Sequence, residues 1–82
     1  MYKILIVEGD VNISSTLKIY LEQDNSEVVI VNNFEKVMGY LYPFHPHLVI
    51  LGAELPIFDG FYWLRRIRKY KYRRLKKAQM IV

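Results

Sequence analysis

In Leu48-Val49-Ile50-Leu51-Gly52-Ala53-Glu54-Leu55-Pro56-Ile57-Phe58-Asp59-Gly60-Phe61, an unbroken apolar run ends on a glycine and gives way to turn chemistry. Four consecutive apolar residues, bounded by turn signals, suit a short strand covered on both faces. Leu-Pro-x-x-Asp-Gly suits a tight loop entering a helix, with Asp59 capping and Gly60 relaxing the backbone. Leu64 and Ile67 follow at the spacing of an inward helix face. A buried strand that turns directly into a helix is the repeating unit of a parallel sheet.

The same unit recurs upstream. Lys3 to Val7 is a run of β-favouring residues. Asp10 or Asn12 can cap a following helix, with Ile13, Leu17, Tyr20 and Leu21 facing inward and an end near Asp24-Asn25. Glu27 to Val31 reads as a second strand. Asn32 with Glu35 forms a capping pair ahead of a stripe of Phe34, Val37, Met38 and Leu41. Pro43 and Pro46 are expected to stop that helix. His47 to Leu51 is the third strand, and Met80-Ile81-Val82 starts a fourth. The end of the third helix is not marked, because the basic stretch to Lys77 has no Gly or Pro.

The order β-α-β-α-β-α-β predicts an α/β fold: a parallel sheet with right-handed crossovers and helices on both faces. The 82 residues suffice for one small domain, about three βα units plus a fourth strand. Hydrophobic residues make up 52% of the chain, too many for a disordered one. There is no cysteine, hence no disulfide framework, thiolate metal site or thiol nucleophile. No apolar run reaches the roughly 18 residues of a membrane span, and the N-terminus has no signal-peptide pattern. A cytoplasmic protein is expected.

Two segments, Ile4-Leu5-Ile6-Val7-Glu8-Gly9-Asp10 and Pro46 to Phe61, resemble the receiver domains of bacterial response regulators (CheY-like, OmpR-type). The resemblance covers residues 1 to about 68. With Asp59-Gly60-Phe61-Tyr62-Trp63-Leu64-Arg65-Arg66-Ile67-Arg68, it looks most like regulators of bacitracin and cationic-peptide resistance. It implies a flavodoxin-like sheet, here shortened at its C-terminus. It also implies two-component signalling, a sensor-kinase partner and, commonly, a DNA-binding output for transcription regulation.

The resemblance further implies what the site lacks. Phosphoryl transfer to a carboxylate needs a nucleophilic oxygen and a Mg²⁺ held by hard oxygen ligands. Gly52 stands at the phosphoacceptor position and has no side-chain oxygen. Glu8 matches the first residue of the family's acidic pair, and Gly9 stands where the second, a metal ligand, belongs. The backbone carbonyl of Glu54 matches a third metal contact. The family's hydroxyl residue and lysine lie beyond Val82. Asp10 and Glu54 could gather a weak Mg²⁺ site, although solvated loop acids are the plainer reading of both. No catalytic residue, metal ligand or other cofactor site is therefore expected, and the chain reads as a pseudo-receiver rather than an enzyme.

Charge divides the chain. Residues 1–64 carry three basic and eight acidic side chains, a net of −5, and residues 65–82 carry nine basic and none acidic, a net of +9. The basic residues are Arg65, Arg66, Arg68, Lys69, Lys71, Arg73, Arg74, Lys76 and Lys77, with Tyr70 and Tyr72 between them. They read as a solvated helix face and loop, or as a contact for an acidic partner or nucleic-acid phosphates. His45 and His47 flank Pro46 and make a poor metal pair without a third ligand. No nucleotide-binding, zinc-hydrolase or serine-hydrolase motif is present.

The expected role is protein–protein interaction in signalling. The alternative is a small nucleic-acid-binding or transcription-regulatory protein that uses residues 65–77. A homodimer is also expected, because the fourth strand leaves an open edge. By this reading either Ile4, Ile6, Val49 and Leu51, or Leu5, Val7, Leu48 and Ile50, form a partly bare sheet face.

Overall fold

The computed structural model describes residues 2–32, 36–52, 60–69 and 77–81; the side chains of residues 60, 61, 63, 64 and 77–81 lie outside that description. The element order is β1 (Tyr2–Val7), α1 (Val11–Glu22), β2 (Ser26–Val31), α2 (Val37–Phe44), β3 (Leu48–Gly52), α3 (Gly60–Lys69) and β4 (Lys77–Ile81). The four strands pair in the order β2-β1-β3-β4, all parallel. The expected α/β fold and parallel sheet are therefore present. β4 starts at Lys77 rather than Met80, because five of its residues find partners on Leu48 to Gly52.

Two apolar layers cover the sheet. Leu5, Val7, Val31, Val49 and Leu51 meet Val37 and Leu41 of α2 and Ile67 of α3. On the other side Ile4, Ile6 and Val28 meet Leu17 and Leu21 of α1, with Ile30, Leu48 and Ile50 partly buried against them. This corrects the expected grouping of faces. β1 pairs with β3 as Ile4↔Leu48, Leu5↔Val49, Ile6↔Ile50 and Val7↔Leu51. Paired residues of neighbouring strands point to the same side, so Leu48 and Ile50 share a face with Ile4 and Ile6. The sequence reading slipped this register by one residue, and one residue flips every side chain of a strand.

α1 has a similar small rotation. Leu17 and Leu21 face the sheet as expected, but Ile13 and Tyr20 are exposed and Ser14 is buried in their stead. Serine is small enough to let the helix approach the strands, and its hydroxyl donates to the Val11 carbonyl (3.3 Å), which satisfies it locally. Asp10 is the N-cap: its Oδ1 accepts from the N–H groups of Asn12 (2.9 Å) and Ile13 (3.2 Å). Asp10→Ala should cost about 1 kcal/mol, the typical worth of such a cap, measured by urea unfolding. A loss below about 0.3 kcal/mol would show that the cap carries little.

Pro43 does not stop α2, which runs on to Phe44. In the last turn, Pro43 forfeits only the bond to the carbonyl of Gly39, four residues back. The helix ends at His45, whose backbone is left-handed (φ 49°) and whose N–H donates to the Leu41 carbonyl (3.0 Å). Lys36 is the N-cap and makes no side-chain capping bond. Phe34 and Glu35, placed in this helix by the sequence, lie outside the described residues, as do Asp59 and the apolar role of Leu64.

His47 has a structural place that its sequence context does not reveal. Its Nδ1 accepts from the Lys3 N–H (2.9 Å), its own N–H donates to the Lys3 carbonyl (2.8 Å), and its ring stacks on Tyr2 with centroids 4.8 Å apart. The ring thus ties the start of β3 to β1. His47→Ala removes an acceptor from a part-buried N–H and should cost about 1–3 kcal/mol. His47→Asn, whose Oδ1 can accept in the same place, should recover part of it. Equal loss in both variants, by urea unfolding, would refute the hydrogen-bonding role.

Candidate functional site

The C-terminal ends of β1 and β3 lie side by side, because Val7 pairs with Leu51. The next residues along, Glu8 and Gly52, therefore meet. Glu8 is only 9% exposed. Its N–H donates to the Val31 carbonyl (3.3 Å), and its Oε1 accepts from the Asp10 N–H (3.1 Å). Those two bonds hold the side chain over Gly52. A Cβ added to Gly52 would sit 2.6 Å from Glu8 Oε2 and 3.0 Å from both Cδ and Oε1. Real carbons do not approach oxygen so closely, so the Glu8 carboxylate fills the space that a side chain at position 52 would need. No described glycine has a positive φ, so Gly52 serves close approach rather than a special backbone shape.

Among the described residues, the rest of this end offers few side-chain ligands to a metal ion. Gly9 is exposed and offers no side-chain ligand. Asp10 commits Oδ1 of its exposed carboxylate to the α1 cap. Glu8 is engaged with the Asp10 backbone, and Glu54 lies outside the described residues. Among the described residues no group of three or more His, Asp or Glu side chains could hold a metal ion. A hard divalent cation needs several convergent oxygens. The described side chains do not fit the Mg²⁺ that phosphoryl transfer requires.

The structure brings together Glu8, Gly9, Asp10 and Gly52, and places the described basic side chains of residues 65–77 on α3. Arg65, Arg66, Arg68 and Lys69 are exposed on α3, while Ile67 between them is fully buried. Tyr62 Oη accepts from Arg66 Nη1 (3.4 Å) one turn away. Lys71, Arg73, Arg74 and Lys76 lie outside the described residues, as does the side chain of Lys77. Sequence reasoning named Glu8 as a surviving acid, but missed that it occupies the room of residue 52. No local pattern signals this, since the two are 44 positions apart and meet only through strand pairing.

No protein-family model matches the chain. Over 70 residues, 85% of its length, the chain is 43% identical to the sensory transduction protein BceR of Halalkalibacterium halodurans. Among solved structures it is similar to the N-terminal domain of the nisin resistance regulator NsrR, a lantibiotic response regulator (35% identity, TM-score 0.79, 96% of this chain and 65% of that one). It is also similar to a chain of the complex between histidine kinase ThkA and response regulator protein TrrA of Thermotoga maritima (25% identity, TM-score 0.80, 100% of this chain and 87% of that one). The chain spans about 30% of the length of the curated relative it matches.

Proposed function

Because the chain belongs to the receiver family of bacterial response regulators, and so is a two-component signal-transduction domain, we propose that it signals by protein–protein contact without accepting a phosphoryl group. The observation that supports this is the carboxylate of Glu8 resting where the acceptor side chain would stand, over a glycine with no oxygen to phosphorylate. Gly9 and the engaged Asp10 remove the ligands that would offset the charge of an incoming phosphate.

The proposed partners are a sensor kinase or another signalling protein, and a second copy of the chain. A structure similar to this one forms a complex with a histidine kinase, which makes that partner class a fitting one. No helix of the described residues is long and apolar enough to cross a membrane, and a cytoplasmic location suits such a partner. The proposed domain is residues 1–82, with no enzymatic turnover of its own.

The test is incubation with acetyl phosphate and Mg²⁺, followed by intact-mass measurement. No gain of one phosphate is expected. A hydroxylamine-labile gain would mean that a carboxylate, Glu8 foremost, replaces the missing aspartate, and the proposal would fail.

A further inference from the structure

At the strand-N-terminal end of the sheet, opposite Glu8 and Gly52, one imidazole joins β1 to β3. The Lys3 N–H donates to His47 Nδ1 (2.9 Å), the His47 N–H donates to the Lys3 carbonyl (2.8 Å), and the ring stacks on Tyr2. A backbone N–H can only donate, so Nδ1 holds a lone pair here and the ring is neutral, with its proton on Nε2. Protonation changes the role of Nδ1 alone, from acceptor to donor, whereas Nε2–H donates in both forms. Two donors would then face each other in a part-buried place, and the Lys3 N–H would lose its acceptor. Turning the ring over does not restore the bond, because both nitrogens of the cation carry protons.

We propose that His47 is a proton-sensitive latch, which holds the start of β1 against the start of β3 when neutral and releases it when charged. Imidazole ordinarily takes up its proton near about pH 6.5, where few other side chains titrate. The residue bonded to the ring is itself a cation, Lys3, whose Nζ lies over the Phe44 ring of α2 (5.3 Å). Tyr2 brings a phenol from β1, and His45 a second imidazole from the turn after α2. The described charges of α3, which packs on the other end of the β3 layer through Ile67, are all basic. The one acid within the four strands is Glu27, exposed on β2, paired with Lys3 and so about 10 Å from β3 across two ladder spacings. Glu22 and Asp24 belong to the end of α1 and the turn into β2. The amino terminus and the Lys77 side chain lie outside the described residues. The folded chain therefore takes up the imidazole proton less readily than the unfolded one. Below about pH 6.5 the unfolded state binds more protons, so the latch's contribution is complete above that pH and is lost as pH falls. The pairs from Ile4↔Leu48 to Val7↔Leu51 do not involve the ring, so release frees the strand starts and leaves the sheet paired. The latch is independent of the acceptor end and stands or falls without it.

Urea unfolding of the full chain at about pH 8 and about pH 5, beside His47→Asn, tests the latch. Asparagine can accept from the Lys3 N–H but takes up no proton, and both chains share His45 and every carboxylate. On going to the lower pH, the unfolding constant of the parent should rise about eightfold to thirtyfold more than that of His47→Asn, the upper figure holding if the folded chain excludes the proton altogether. His45→Asn, at a left-handed position that asparagine tolerates, should keep the parent's pH dependence. Amide hydrogen exchange gives the local readout. At the lower pH the Lys3 N–H of the parent should lose about tenfold in protection relative to Leu5, further along β1. A parent that tracks His47→Asn within about twofold, or a Lys3 amide equally protected relative to Leu5 at both pH values, would overturn the proposal. So would a pH dependence that vanishes in His45→Asn and persists in His47→Asn, which would assign it to the other imidazole. If His47→Asn does not fold, the Lys3 exchange in the parent decides.

Discussion

Gly52→Asp is expected to leave the chain unable to take up phosphoryl groups and to lower its stability by roughly 1–3 kcal/mol at neutral pH. Restoring the family's acceptor residue would ordinarily be the obvious repair. Here the new Cβ would lie 2.6 Å from Glu8 Oε2, so the Glu8 carboxylate must swing aside. Moving it breaks the bond from the Asp10 N–H. Two carboxylates would then share one partly closed site with no cation ligand at Gly9 to draw them together. Like charges at contact disfavour simultaneous ionisation. The deficit should therefore shrink as pH falls toward about 4, where carboxylates begin to protonate. Gly52→Ala adds the crowding without the charge. Its cost should be smaller and flat across the same range, because the clash is with the movable end of a side chain. Urea unfolding of both variants at two pH values, with intact-mass measurement after acetyl phosphate, gives the comparison. Phosphoryl uptake by Gly52→Asp alone would show that the site retains its chemistry. Equal pH dependence in both variants would show that Glu8 is not the obstacle.

Leu51→Ala is expected to cost about 2–5 kcal/mol, and Leu48→Ala less than half as much. The two leucines sit three residues apart on the same strand and are indistinguishable in type. Leu51 is fully buried between the sheet and the α2–α3 layer. Leu48 is half-buried on the α1 side, where one helix covers the strands. Against total stabilities of about 5–15 kcal/mol for small domains, the first change brings the chain close to unfolding and the second does not. Urea midpoints of the two variants measure this directly. A larger loss at Leu48 would mean that the α1 layer is the main core and that the strand is turned the other way.

The outline of the fold was legible in the residues. Apolar runs at Ile4 to Val7, Val28 to Val31 and Leu48 to Leu51 suit short strands covered on both faces, and the helical spacings between them suit crossovers. Leu17, Leu21, Val37, Leu41 and Ile67 were read as core and are packed as core, wholly or in part. These signals are local and repeated, so they survive without tertiary information. The family frame was equally legible, because it rests on residue types in fixed order. The charge division into an acidic body and a basic terminal stretch is likewise a property of sequence alone.

Tertiary structure decided the rest, wherever the outcome depended on a register or an angle. One-residue choices placed Leu48 with Ile4, turned Ile13 and Tyr20 outward and put Ser14 under α1. Such choices depend on how neighbours pack, which no single segment encodes. Pro43 stayed within α2 because the position of a proline relative to the helix end, not its presence, sets its cost. His47 became a tie between β1 and β3 only once those strands were paired. That Gly52 cannot carry a phosphoryl group follows from the residue type alone, since glycine lacks the atom. That the Glu8 carboxylate fills the space beside it follows from the pairing of β1 with β3, which brings position 8 against position 52 and leaves room for one side chain between them.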